Sequence, residues 1–154
     1  MPSDARVWVY QSNKVLSDAE VTDLKAEGEK FVSGWSAHGA ALNASFDVLY
    51  NRFIVLAVDE KQALASGCSI DKSVHFIKSI EQQFGLNLFD RMQVAYKKGT
   101  EILACSLSEF EKLAAAKEVD EHTIVFNNMI STKAAFDNEW EVPVKNSWQN
   151  RVLA

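Results

Sequence analysis

Two adjacent stretches, "LNASFDVLY" (42–50) and "FIVLAV" (53–58), constrain the fold more than any other part of the chain. The first alternates Leu42, Ala44, Phe46 and Val48 with Asn43, Ser45 and Asp47, a period of two that gives a strand one apolar and one wet face. The second is apolar at every position, as a strand is when both of its faces are covered. Tyr50, Asn51 and Arg52 are enough to close a tight hairpin between them. The pair therefore reads as a lateral strand beside a central one.

The remaining elements follow from local signals. "RVWVYQS" alternates Val7 and Val9 with Trp8 and Tyr10, residues that suit a pleated surface, and forms the first strand. Ser17 with Glu20 is a capping box, and Leu16 with Val21 a hydrophobic staple. A helix begins there and carries Val21, Leu24, Phe31 and Trp35 to the glycine-rich "SGWSAHGA". Ile70, Val74, Ile77 and Phe84 repeat at helical spacing, with Gly85 as the C-terminal cap. "RMQVAY" and "EILACSL" read as a hairpin turning at "KKGT", Ser106 with Glu109 caps a short third helix, and "TIVFNN" is a last strand. Phe136, Trp140 and Trp148 give the tail more apolar weight than a solvated tail needs.

Strand, helix, strand, strand, helix, strand is the order of the ferredoxin-like split βαβ plan, whose first and third strands are central. The fold class expected is α+β: one domain over 1–154, with a ferredoxin-like core at 1–98, an added strand hairpin, and a helical and aromatic C-terminal extension at 99–154. In this layout "GWSAHG" (34–39), "ASGCSID" (65–71) and the "YKKGT" turn share one pole.

Charge and cysteine count narrow the function. A net charge of −5 and a pI near 5.2 oppose binding to nucleic acid or an anionic membrane. No apolar run is long enough to span a bilayer, and the N-terminus lacks the pattern of a signal peptide. A cytoplasmic location follows as the expectation, in which Cys68 and Cys105 stay reduced. His38, His75 and His122 have no metal-ligand spacing, so no metal site is expected, and no cofactor motif is present.

Through "VWVYQSN", "GWSAHG", "YNRFIVLAVDE", "SGCSIDKSVHFI", "FDR", "VFNN" and "WEVPVKNSW", the chain resembles a small family of uncharacterised bacterial single-domain proteins, often labelled "ABC transporter ATPase". The resemblance covers nearly the whole chain and transfers no catalytic residue. Its label meets no support in the residues. A P-loop ATPase wraps phosphates with G-x-x-x-x-G-K-S/T, and that motif is missing.

Two chemistries compete at the expected pole. Cys68 stands just before the second helix, where the helix dipole favours a thiolate; His38 would be its base and Asp71 the group orienting the imidazole. Alternatively, backbone N–H groups of Ser66, Gly67 and Ser69 would bind a small anion, assisted by Lys97 or Lys98 and walled by Trp35. The leading expectation is a non-catalytic domain with a polar ligand, anion or partner site at 34–39 and 65–71. The alternative is a thiol-dependent enzyme. A protein-interaction or homo-oligomerisation module is the third class, suggested only by the aromatic tail. Trp8 and Tyr10 could stack on RNA bases, but the charge opposes this and the tail is expected to cover that face.

Overall fold

The computed structural model describes residues 1–153 and the side chains of residues 1–150; residue 154, the last of the expected extension, lies outside them. The elements are β1 (Arg6–Gln11), α1 (Asp18–Gly34), β2 (Ser36–Ala37), β3 (Ala40–Ala41), β4 (Asn43–Leu49), β5 (Phe53–Asp59), α2 (Gly67–Phe84), β6 (Gln93–Lys98), β7 (Glu101–Ser106), α3 (Leu107–Ala115), β8 (Ile124–Phe126), α4 (Lys133–Glu139) and β9 (Glu141–Pro143). Two stretches of 3-10 helix, Val144–Asn146 and Trp148–Leu153, follow. The architecture is α+β. An antiparallel sheet of order β1-β5-β4 faces a second of order β7-β6-β8-β9, and β2 and β3 form a separate small hairpin.

The side chains of β5 explain its unbroken apolar run. Ile54, Leu56 and Val58 pack into a core with Leu24 and Val32 of α1 and Ile77 and Ile80 of α2. Phe53, Val55 and Ala57 point the other way, into a core shared with Ala95, Phe126 and Trp140 of the second half. A third core, on the far side of β6, joins Val94 and Tyr96 to Phe110 of α3 and to Val142 and Val144. The chain is thus layered as helices, sheet, sheet and helix, and β4 keeps its polar side chains outward.

In the first sheet β5 lies between β1 and β4, the order that the split βαβ plan gives its first three strands. The fourth strand departs from the ferredoxin-like layout, and β1 is not central. Residues 131–133 engage its outer edge: Val7 N–H donates to Ser131 O at 3.0 Å, Lys133 N–H to Ala5 O at 2.9 Å, and Arg6 bridges to Thr132. β6 instead lies between β7 and β8, where both of its apolar faces are buried. Trp8 and Tyr10 face the helices rather than the tail; Tyr10 belongs to the core beneath α1 and α2, and Trp8 packs at its margin. The tail covers Val7 and Val9 on the opposite face.

Local chemistry sets the helix ends. Ser17 and Glu20 form the reciprocal capping box, with bonds of 3.1 and 3.0 Å. Gly85, at φ 64°, closes α2 by donating its N–H to Glu81 O. Gly28, in the middle of α1, has a different reason: a β-carbon there would stand 2.1 Å from Cδ1 of Phe46. Phe46 is itself buried and set edge-on to Phe76, so its ring has little room to yield. Glycine lets the helix lie directly on β4.

This contact predicts opposite outcomes for two glycines of one helix. Gly28→Ala should cost about 1–3 kcal/mol through overpacking, despite alanine's better helix propensity. Gly34→Ala, with nothing within 4 Å of the added carbon, should be neutral or stabilising by about 0.4–1 kcal/mol. Urea unfolding of the two variants measures both. A Gly28→Ala variant as stable as the parent would contradict the close packing of α1 on β4.

Candidate functional site

The stretches at 34–39 and 65–71 do meet, through a tryptophan. Trp35 follows α1, is 2% exposed, and its indole Nε1 donates to Ser69 O at 2.8 Å. Its ring centroid lies 5.1 Å from that of Phe31 and 6.2 Å from that of Trp8, so the residue fills the core rather than walling a pocket. Ser66 Oγ accepts the Ser69 N–H at 3.1 Å, and Ser69 Oγ accepts the Ser66 N–H at 2.7 Å. Two of the donors expected to hold an anion are therefore bonded within the helix end itself.

His38 and Gly39, with φ of 52° and 79°, are the two central residues of the turn joining β2 to β3. Positive φ at both positions is the geometry of the type I′ hairpin. His38 is exposed, as are Gly67, Cys68 and Asp71. Among the described residues, no hydrogen bond or ion pair joins His38, Cys68 and Asp71. The other thiol, Cys105, is half-buried on β7, where burial first and Glu109 second push it up to about 11.

Lys97 lies at the opposite end of the first sheet. Because β6 has left β1, its hairpin end comes to rest against the turn between β4 and β5. Lys97 Nζ pairs with Glu141, which also accepts the Tyr50 hydroxyl proton at 2.8 Å. Lys97 lies 5.5 Å from the Tyr50 ring centroid, and Lys98 is exposed beside Gly99. Neither can serve an anion at α2. Tyr50 holds φ of 54°, unusual for a bulky residue, while its ring packs against Phe53, Phe126 and Trp140. The hydrogen bond to Glu141 holds Lys97 above its ordinary pKa, and burial followed by the same carboxylate raises Tyr50.

A different site lies along the outer edge of β1. Two adjoining recesses of about 40 and about 150 Å³ share Val9, Tyr10, Arg91, Asn128 and Met129. Since Val7 directs its N–H outward to Ser131, strand alternation turns the N–H and C=O of Val9 to the same edge. Gln11 and Gln149 line the smaller recess and are 9% and 1% exposed.

The orientation of both amides follows from groups that can only donate or only accept. The Trp140 indole donates to Asn128 Oδ1 at 2.9 Å, so Asn128 Nδ2 donates to Gln11 Oε1, also at 2.9 Å. Gln11 Nε2 is left as a buried donor with no partner. Gln149 Nε2 donates to the Phe126 carbonyl at 3.4 Å, leaving Gln149 Oε1 as a buried acceptor with no partner. Two residues that line the smaller recess thus carry one buried unsatisfied donor and one buried unsatisfied acceptor. Leaving either group unpaired costs about 1–3 kcal/mol.

Asp90 and Arg91 both border the smaller recess, so its mouth carries one charge of each sign. Both Asp90 oxygens accept bonds, from Met92 N–H and Gln93 Nε2, whereas Arg91 is exposed and has no carboxylate partner among the described residues. Its charge reaches the recess, where it opposes the rise in Tyr10 pKa caused by burial. No sequence signal announces this site. Gln11, Asn128 and Gln149 are polar residues of three distant segments, and only the pairing of the tail with β1 assembles them.

Two measurements probe this chemistry. With its pKa near 11, Cys105 is roughly one part in ten thousand thiolate at pH 7, so iodoacetamide should label exposed Cys68 first; the modified peptides identify the site. Lys97 and Tyr50 hold their protons more tightly folded than unfolded. The stability they contribute is therefore present below about pH 10 and lost as pH rises through their folded values. Urea unfolding between about pH 8 and 11 should show a steeper loss in the parent than in Glu141→Gln, which removes the charge that both groups sense.

Comparison of the chain with protein-family models, with curated proteins and with solved structures finds no significant match.

Proposed function

We propose that this protein is a non-catalytic binding domain for a small, polar, anionic molecule held at the outer edge of β1. The buried donor of Gln11 and the buried acceptor of Gln149, both without partners in one recess, carry the reading. A ligand group able to accept from one and donate to the other, such as a hydroxyl or carboxamide, satisfies both at once. Arg91 supplies the charge for a carboxylate or phosphate, and the outward N–H and C=O of Val9 offer a further pair. Sites for drug-sized molecules run to about 300–1,000 Å³. The glutamines line the smaller recess, of about 40 Å³, and the adjoining one adds about 150 Å³, which suits a ligand no bigger than an amino acid.

This reading keeps the ligand class expected from the sequence and moves it away from residues 34–39 and 65–71. The thiol-enzyme alternative retains the exposure of Cys68, without a base in hydrogen-bond contact. ATP hydrolysis has no P-loop to support it. The proposal also takes β1, α1, β4, β5 and α2 as a three-stranded relative of the ferredoxin-like unit, in a cytoplasmic bacterial protein of the family that the sequence resembles, with no nucleic-acid partner. No helix among the described residues is long and apolar enough to cross a membrane.

Titration of the isotopically labelled protein with acetate, inorganic phosphate, acetamide and N-acetylglycine tests the site, read by NMR at the side-chain amides of Gln11 and Gln149 and the backbone amide of Val9. Saturable shifts at these three groups are expected with a probe that carries both an anion and an amide, weakened in Arg91→Ala and abolished in Gln11→Leu. Saturable shifts at Ser66 to Ser69 instead would return the site to the N-terminus of α2. No saturable shift anywhere would leave the recess holding solvent alone and end the reading.

A further inference from the structure

Among the described residues, four strand edges close the two main sheets, and three of them are protected. The β1 edge is covered over residues 5–7 by residues 131–133, and at Val9 it is recessed behind Asn128 and Met129. On β4, Asn43, Ser45 and Asp47 are polar, and Asp47 pairs with Lys25 of α1 at 3.6 Å. β9 is only three residues long and ends in Pro143. Short edges, charged side chains and prolines are the usual means of preventing strand-to-strand association. The β7 edge has none of these across its middle: Ile102, Leu103, Ala104 and Cys105 are consecutive, uncharged and half-exposed.

The hairpin geometry shows what that edge presents. β6 and β7 close on the pair Lys98 and Glu101, with Gly99 at φ 63° and Thr100 between them. A two-residue loop makes the closing pair hydrogen-bonded. Alternation then turns the N–H and C=O of Ile102 and Ala104 outward, away from β6. A groove of about 610 Å³ follows this edge, bordered by Arg52, by Val15, which is 59% exposed, and by Glu109, Lys112 and Leu113 of α3. Among the described residues Arg52, Glu109 and Lys112 have no ion-pair partner. Arg52 is 7% exposed, and its guanidinium donates only to Ser12 O, at 3.3 Å.

We propose that β7 pairs antiparallel with β7 of a second copy of this chain, making a two-fold dimer with a continuous eight-stranded sheet. A two-fold axis perpendicular to the sheet at the middle of β7 matches the outward N–H and C=O groups of each strand to those of the other. The same axis keeps both α3 helices on one face and runs them antiparallel. Glu109 of each copy then lies towards Lys112 of the other, so a stripe of opposite charges one helical turn apart is complementary to itself. This complementarity selects a second copy over an unrelated partner, and isologous pairing of this kind closes at two chains rather than growing into a filament. The surface belongs to the second sheet and is independent of the recess on β1.

Sedimentation equilibrium tests the dimer. The parent should associate to twice its 17.2 kDa. Ala104→Pro removes an outward N–H without disturbing the ladder with β6, and should leave a folded monomer. Glu109→Lys should weaken association about tenfold or more by opposing lysines across the axis, and the exchanged pair Glu109→Lys with Lys112→Glu should restore it. A parent of single-chain mass at every concentration, a dimer that survives Ala104→Pro, assemblies larger than two, or a failure of the exchanged pair to rescue would each overturn the proposal. Circular dichroism of every variant separates loss of association from loss of fold.

Discussion

The burial of β5 on both faces organises everything else. A strand that presents Phe53, Val55 and Ala57 on one side and Ile54, Leu56 and Val58 on the other needs two covering layers. The helices α1 and α2 provide one; the second sheet provides the other. Burying one of the five larger side chains is worth roughly 1.5–3 kcal/mol, so together they outweigh any local preference in the chain around them. The same requirement explains Gly28, which allows α1 to lie against β4 closely enough to close the helical layer.

The second layer also determines the chemistry. For Phe126 and Trp140 to cover β5, the tail must return past the edge of β1, and that path carries Asn128 to Gln11 and Gln149 to Phe126. Core packing and the polar recess are consequently one arrangement. The indole of Trp140 is buried among aromatic rings while its N–H fixes the Asn128 amide, which in turn decides which Gln11 atom is left without a partner. Across Phe53 from Gln11 the same rings hold Tyr50 in its unusual backbone conformation, and the bond from Tyr50 to Glu141 ties that turn to β9.

Much of the local structure was legible in the sequence because its causes are local. Ser17 with Glu20, Ser106 with Glu109, and Gly85 each act within one turn of a helix, and the alternation of β4 reports directly on its two faces. The expected pole formed only in part, for the opposite reason: residues 34–39 and 65–71 meet, but Lys97 does not join them. Placing Lys97 beside Cys68 required knowing which strand β6 would join, and β6, apolar on both faces, found a more complete environment between β7 and β8 than beside β1. His38 and Cys68 are reactive residue types beside glycines, a pattern carried by the sequence alone. The bond that joins their two segments belongs instead to Trp35 and a backbone carbonyl, which no residue pattern singles out.

What the sequence by itself determined is the set of elements and their faces: an α+β chain with one doubly buried strand, capped helices and an aromatic tail too apolar to stay in water. These follow from hydrophobic periodicity and capping, interactions between residues at most a few positions apart. Only the tertiary structure decided the sheet to which each strand belongs, the amides that lose their partners and the strand edge left open. Those outcomes depend on competition between distant segments for the same backbone and apolar surfaces, and such a competition is settled by the total area and hydrogen bonding of the whole chain, which no short stretch records.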